Sequence, residues 1–124
     1  MIKTNKLRLG NWINGVNDTP KGKRYDIPMY VSVIGDNYIH ATFEGNDADD
    51  WEYGEGEFEG IELTLDMCKS WLDNENCSSL FALTQSESGT LFLRYYGYWF
   101  PVTYVHELQN AYFFFTGREL KVKI

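Results

Sequence analysis

Short runs of alternating apolar and polar residues fill much of the first half of the chain, and this is the pattern of half-buried β-strands. Residues 30–34 and 38–43 alternate on either side of a Gly-Asp-Asn connection, so they predict a β-hairpin. Asn14 and Gly15 also predict a tight turn, because both residue types tolerate a positive φ. The polar residues 17–28 predict a loop. We expect the strands of this half to form a small SH3-like β-barrel or half-barrel.

Two segments of the second half carry apolar residues at helical spacing. The first predicts a short helix over residues 65–73, where the hydroxyl of Thr64 can cap the first turn. The second predicts a longer helix over residues 104–116. Gly117 follows it at the position where helices commonly end in a left-handed residue.

The residues between and after these helices predict further strands. Residues 81–85 and 91–96 alternate around a polar connection, and residues 98–102 continue the pattern, which together predict a β-meander. Apolar residues also alternate with charged ones over residues 120–124, so a final strand is expected to close the fold. The sequence therefore predicts an α+β fold in a single domain spanning residues 1–124.

The charge and hydropathy of the chain exclude some classes of function. The net charge is −7, so the field of the whole molecule repels phosphate backbones, and generic nucleic-acid binding is disfavoured. The chain has no apolar run of about 18 residues, the length that would span a bilayer. Its first ten residues also lack the apolar core of a signal peptide. We therefore expect a cytoplasmic protein that does not enter a membrane.

Several strings contain residue types used in catalysis or metal binding, but their spacing does not fit. The His-Glu pair at His106 opens like a zincin motif, yet Asn110 occupies the place of the second histidine. Cys68 and Cys77 match no zinc or CxxC spacing. Residues 44–59 contain eight carboxylates but depart from the EF-hand pattern, so they predict a loop or a sheet edge. The sequence thus predicts no catalytic residue, no metal site and no cofactor.

Aromatic residues are the least ordinary feature, since Phe, Trp and Tyr make up 17% of the chain. The aromatic run at residues 95–100 sends rings to both faces of a strand, and Arg94 can stack on them. We therefore expect a noncatalytic accessory or interaction protein that binds a partner protein through an aromatic surface. The alternatives are a small-ligand module for glycans or cationic groups and an acidic mimic of nucleic acid. The candidate binding residues are Trp51, Tyr53, Tyr96 and Trp99.

Three strings suggest kinship with other proteins. The chain has LRLGNW at residues 7–12, GIELT at residues 60–64 and VHELQNAYFFFTGREL at residues 105–120. They resemble the LRIGNWV-like start, the GIPLT segment and the VHQLQNLYFALTGEEL-like helix of a family of short uncharacterised proteins from Bacteroidetes genomes and their phages or mobile elements. The similar strings cover about a quarter of the chain. The resemblance implies a phage or mobile-element origin, and it assigns no catalytic residue.

Overall fold

The computed structural model describes residues 1–43, 49–75 and 81–124, and these residues form a mixed α+β structure. Contacts divide the chain into two compact units, Met1–Ile61 and Glu62–Ile124. The α+β class expected from the sequence is confirmed. The single domain expected over residues 1–124 stays a prediction.

The first unit contains one antiparallel sheet of five strands. A short 3₁₀ turn precedes it at Thr4–Lys6. The strands follow the order β4-β3-β2-β1-β5, so β4 and β5 are the edges and the described residues form no closed barrel. The strands are Trp12–Thr19 (β1), Gly22–Ile34 (β2), Tyr38–Thr42 (β3), Trp51–Gly54 (β4) and Phe58–Gly60 (β5).

One face of this sheet supplies the core of the first unit. Successive side chains of a strand point to opposite faces, so apolar residues two positions apart are buried together. Leu7, which precedes β1, joins them. The buried residues from the strands are Ile13, Met29, Val31, Ile39, Ala41 and Phe58.

The turn predicted at Asn14 and Gly15 is wrong, because both residues lie inside β1 and pair with β2. A Cβ atom added to Gly15 would lie 3.0 Å from the Tyr53 hydroxyl oxygen and 3.1 Å from Met29 Sδ. Gly15 therefore allows two side chains to approach the backbone closely. In the sequence alone, a glycine with this role looks the same as a glycine in a turn. The loop predicted over residues 17–28 is likewise mostly strand, whereas the hairpin between β2 and β3 is confirmed.

The second unit contains two helices and a three-stranded antiparallel meander in the order β6-β7-β8. Both helices and the meander were predicted, and all are confirmed. The elements are Leu65–Asn74 (α1), Phe81–Gln85 (β6), Leu91–Tyr95 (β7), Tyr98–Val102 (β8) and Val105–Thr116 (α2).

Side chains close to the helix ends explain where the helices begin and stop. Thr64 accepts a hydrogen bond from the Met67 backbone N–H at 3.2 Å and caps α1. In α2, Glu107 Oε1 accepts from the Tyr104 N–H at 3.0 Å, which satisfies a backbone group that the helix leaves unpaired. Gly117 ends α2 with a φ of 71°, the left-handed conformation expected from the sequence.

The inner face of the meander supplies apolar side chains to the core of the second unit, and α2 supplies others. Leu91 and Leu93 from β7 are buried, as are Leu108 and Tyr112 from α2. The Tyr112 ring lies 5.8 Å from that of Phe81, measured between centroids, so helix and meander are in contact. One face of the three-stranded sheet is therefore covered within its own unit.

The closing strand predicted over residues 120–124 is not confirmed, because this described segment pairs with no other strand. Leu120 is buried, but Ile124 is 44% exposed. Alternation of apolar residues indicates which side chains can be buried. A strand also needs a neighbouring backbone to pair with, and the pattern of one segment does not provide it.

Candidate interaction surface

Trp99 and Arg94 form a pair close to the turn of the β7–β8 hairpin. They lie directly opposite each other in the strand register. The guanidinium carbon of Arg94 lies 5.5 Å from the centroid of the Trp99 ring, which is the geometry of a cation–π contact. The stacking expected for Arg94 is therefore confirmed. Trp99 nevertheless remains 52% exposed, so one part of its ring is available to other molecules.

The turn of this hairpin is held in an uncommon conformation. Tyr96 has a φ of 55°, a left-handed value that costs a residue with a side chain about 1–2 kcal/mol. Arg94 Nε donates a hydrogen bond to the Tyr96 carbonyl oxygen at 2.9 Å. The Tyr96 ring is 72% exposed and packs edge-on against Tyr95 at 4.6 Å. Arg94 thus connects the turn to Trp99 and orients both.

The outer face of the meander is the sheet surface opposite the buried Leu91 and Leu93. Its side chains come from alternate positions of the three strands, and the register places them side by side. Phe92 is half-buried, and the other members are exposed. Arg94 is the one charged residue among them. The members of this outer sheet face are Ala82, Thr84, Phe92, Arg94, Trp99 and Pro101.

A cluster of aromatic rings supports the hairpin from the inner side. Phe115 from α2 stacks on Tyr95 at 4.4 Å and contacts Phe100 at 5.0 Å, both between ring centroids. Phe114, the next residue on α2, is 80% exposed. Aromatic pairs of this kind contribute about 0.5–1.5 kcal/mol each beyond their burial, so the hairpin is a firmly supported element.

The two candidate residues from the first unit, Trp51 and Tyr53, lie on β4. Trp51 is 42% exposed and packs edge-on against Phe43 at 5.1 Å. Tyr53 is half-buried, and its hydroxyl lies 3.4 Å from Met29 Sδ. The pKa of Tyr53 is raised, mainly by burial and to a smaller extent by the negative charge of Glu57. Tyr53 therefore belongs to the packing of the sheet, whereas Trp51 has an exposed ring.

The structure also brings His40 close to two carboxylates, an arrangement that the sequence pattern did not indicate. His40 Nδ1 lies 3.2 Å from Asp50 Oδ2, and His40 Nε2 lies 3.4 Å from Glu52 Oε1. Pairing of β3 with β4 places His40 opposite Glu52. Trp51 is the residue next to Glu52 on β4, so alternation directs it to the other face of the sheet. This separation does not favour a site in which Trp51 and these carboxylates hold one cation together.

The reactive side chains considered in the sequence are buried or lie apart. His106 is 95% buried, and burial lowers its pKa despite the opposing charge of Glu107. Burial raises the pKa of the Cys68 thiol to about 11, so it stays protonated near neutral pH. Cys77 and residues 44–48 of the acidic segment lie outside the described residues. In the described ranges, no three His, Cys, Asp or Glu side chains are grouped so that they could hold a metal ion.

A small polar cleft of about 240 Å³ lies in the second unit, beside the connection from β6 to β7. Hydroxyl groups there bond to one another, with 2.9 Å between Ser86 Oγ and Ser88 Oγ. None of the described residues that line the cleft is aromatic, so they do not provide the combination of rings and carboxylates expected for a glycan or cation site. The lining residues are Glu62, Leu63, Ser88, Gly89, Thr90, Leu91, Val102 and Thr103.

Comparisons with known proteins yield no relative from which a role could be transferred. No family model, no curated protein and no solved structure matches the chain. Neither helix in the described parts of the chain is long and apolar enough to cross a membrane. The geometry of the hairpin is therefore the main basis for a functional proposal.

Proposed function

We propose that this chain is a noncatalytic interaction protein that binds a partner protein through the outer sheet face and the Tyr96 turn. The observation that carries the proposal is the exposed Trp99 ring in contact with Arg94. Arg94 is the one charged residue of that face. Tryptophan, tyrosine and arginine are the residues that most often dominate the energy of protein interfaces. All three types occur here within six consecutive residues, Arg94 to Trp99.

The conformation of Tyr96 supports the same proposal. Glycine would adopt a φ of 55° with little strain, yet the chain carries a tyrosine there with its ring largely exposed. Strained backbone is found disproportionately at binding and catalytic sites, where the side chain has a use that offsets the cost. We infer that the Tyr96 ring contacts the partner together with Trp99.

Two further expectations remain proposals. The order β4-β3-β2-β1-β5, in which the last strand returns to pair with the first, supports an SH3-like half-barrel in the first unit. The origin in a phage or mobile element rests on the sequence resemblance alone. Trp51 also has an exposed ring, at 42%, but it lies in the first unit and is not part of the proposed contact.

The experiment that tests the proposed function is an affinity capture from lysate of the source cells with matched tryptophan variants. A hot-spot tryptophan contributes about 2 kcal/mol or more, so Trp99→Ala should lower the affinity for the partner roughly 30-fold. Trp51→Ala is the control, since it removes an exposed tryptophan from the other unit. A folded Trp99→Ala variant that retains every partner of the wild type would contradict the proposal.

A further inference from the structure

The partner's chemistry can be inferred from the size and charge of the outer sheet face, and this step rests on the proposed function. Neighbouring strands lie about 4.8 Å apart, so the three strands of this face span roughly 10 Å. Along β7, Phe92 and Arg94 are separated by about 7 Å. A specific interface between folded proteins buries about 800 Å² on each side, an area several times larger than the area of this face. The face therefore fits a short segment of chain better than a folded surface.

The charge on the face is that of a single cation. Arg94 Nε donates a hydrogen bond to the Tyr96 carbonyl oxygen, and the guanidinium lies over the Trp99 ring. These two contacts fix the orientation of the guanidinium. Its two terminal NH₂ groups make no ion pair with the described residues. A fixed guanidinium with free donors is the group that binds carboxylates most specifically in proteins. The segment should therefore carry an aspartate or glutamate.

The main apolar groups of the face are the Phe92 ring on the central strand β7 and the Trp99 ring on the edge strand β8, and both rings project from the surface of the sheet. Trp99 and Phe92 are diagonal neighbours on β8 and β7, a relation that separates two residues by about 7–8 Å. Because the face presents side chains, a bound segment gains no strand pairing from it. Polyproline II segments need no such pairing, since their backbone is solvated, and they dock on aromatic surfaces with little loss of entropy.

We propose that the outer sheet face binds an extended, proline-containing segment of a partner protein, with a carboxylate of that segment on Arg94 and a proline against Trp99 and Phe92. The chain's net charge of −7 opposes an acidic segment at long range. Exposed charges more than about 8 Å apart are largely screened at physiological ionic strength, whereas the contact with Arg94 is direct. The preference for a carboxylate is therefore local to this face.

The test uses synthetic peptides and the complete chain. The probe is a 12-residue peptide of proline with glutamate at two central positions. Three matched peptides replace the glutamates by glutamine, replace them by lysine, or replace the prolines by alanine. Binding is followed by two-dimensional ¹H–¹⁵N NMR, in which the Trp99→Ala spectrum identifies the indole N–H signal of Trp99 among the four tryptophans.

We expect the glutamate peptide to shift the Trp99 signal saturably and to bind at least tenfold more tightly than the lysine or the alanine peptide. Arg94→Gln should abolish the difference between the glutamate and glutamine peptides, and Trp99→Ala should abolish binding. Trp51→Ala should bind as the wild type does. Spectra of the free variants show whether each is folded.

Three results would overturn the inference: no saturable binding of the glutamate peptide, equal binding of the glutamate and lysine peptides, or binding that survives Trp99→Ala. The partner captured through Trp99 could bind only as a folded domain, and then none of the peptides would bind. The inference would then fail while the proposed function stands. If Trp99→Ala changes no capture at all, the proposed function itself fails.

Discussion

Replacing Tyr96 tests whether the chain accepts backbone strain in order to present an aromatic ring. The φ of 55° costs any residue with a Cβ atom about 1–2 kcal/mol, and glycine avoids this cost. Glycine in turn loses about 0.5–1 kcal/mol more than alanine through the greater entropy of its unfolded state. Tyr96→Gly and Tyr96→Ala remove the same contact with Tyr95, so their difference in stability is the strain less the entropy cost of glycine. We expect the glycine variant to be the more stable by about 0.5–1 kcal/mol.

The assay is urea unfolding of both variants, followed by circular dichroism. With a slope of about 2 kcal/mol per molar urea, this difference moves the midpoint by roughly 0.3–0.5 M. Tyr98 provides the control because it lies in β8 and does not have a positive φ. Among the described non-glycine residues, Tyr96 is the one with a positive φ. At position 98 the order should reverse, with alanine more stable than glycine by about 0.5–1 kcal/mol.

Equal stability of the alanine and glycine variants at position 96, or the same order of stability at positions 96 and 98, would show that the Tyr96 backbone carries no such strain. If the expected order is found, Tyr96 is a residue that costs stability where it stands. Natural proteins commonly accept such a cost where function needs the side chain. Tyr96→Gly should then weaken capture of the partner although it relieves the strain.

Two other predictions concern buried positions. Burial lowers the pKa of His106, so at acidic pH the unfolded chain takes up a proton that the folded chain excludes. As the pH decreases from 6.5, the free energy of unfolding should therefore decrease by up to about 1.4 kcal/mol per pH unit. The decrease should level off once the pH is below the lowered pKa. Urea titrations of His106→Gln should lack this slope, and an unchanged slope would exclude His106 as its source. Gly15→Ala should destabilise the fold by about 1–3 kcal/mol, since the new Cβ meets Tyr53 and Met29, whereas Gly97→Ala meets nothing within 4 Å and should change thermal stability little. Equal effects of the two alanines would contradict the crowding at Gly15.

Much of the secondary structure could be predicted because its signals are local. The helix ends depend on Thr64 and Gly117, whose side chain or backbone freedom acts within a few residues. The predictions failed where a residue responds to distant neighbours. Gly15 has the sequence context of a turn, but its role is to make room for Tyr53, which lies 38 residues later on β4, a strand that does not pair with β1.

The candidate site was predicted in the same uneven way. The aromatic run at residues 95–100 identified Tyr96, Trp99 and the stacking of Arg94, since these residues are joined by one hairpin. Which rings stay exposed depends on what covers each face of the sheet, and Tyr53 proved to be a packed side chain. The contact of His40 with Asp50 and Glu52 had no local signal at all.

By itself, the sequence determined the α+β class, both helices, the two predicted hairpins and the presence of a strongly aromatic hairpin, because each depends on periodicity or on residues close together in the chain. The tertiary structure alone decided the order of the first sheet, the absence of pairing at residues 120–124 and the exposure of Trp99 beside Arg94. These features depend on which distant segments pack together. That choice reflects the burial and pairing available to the folded chain, and a local pattern does not contain it.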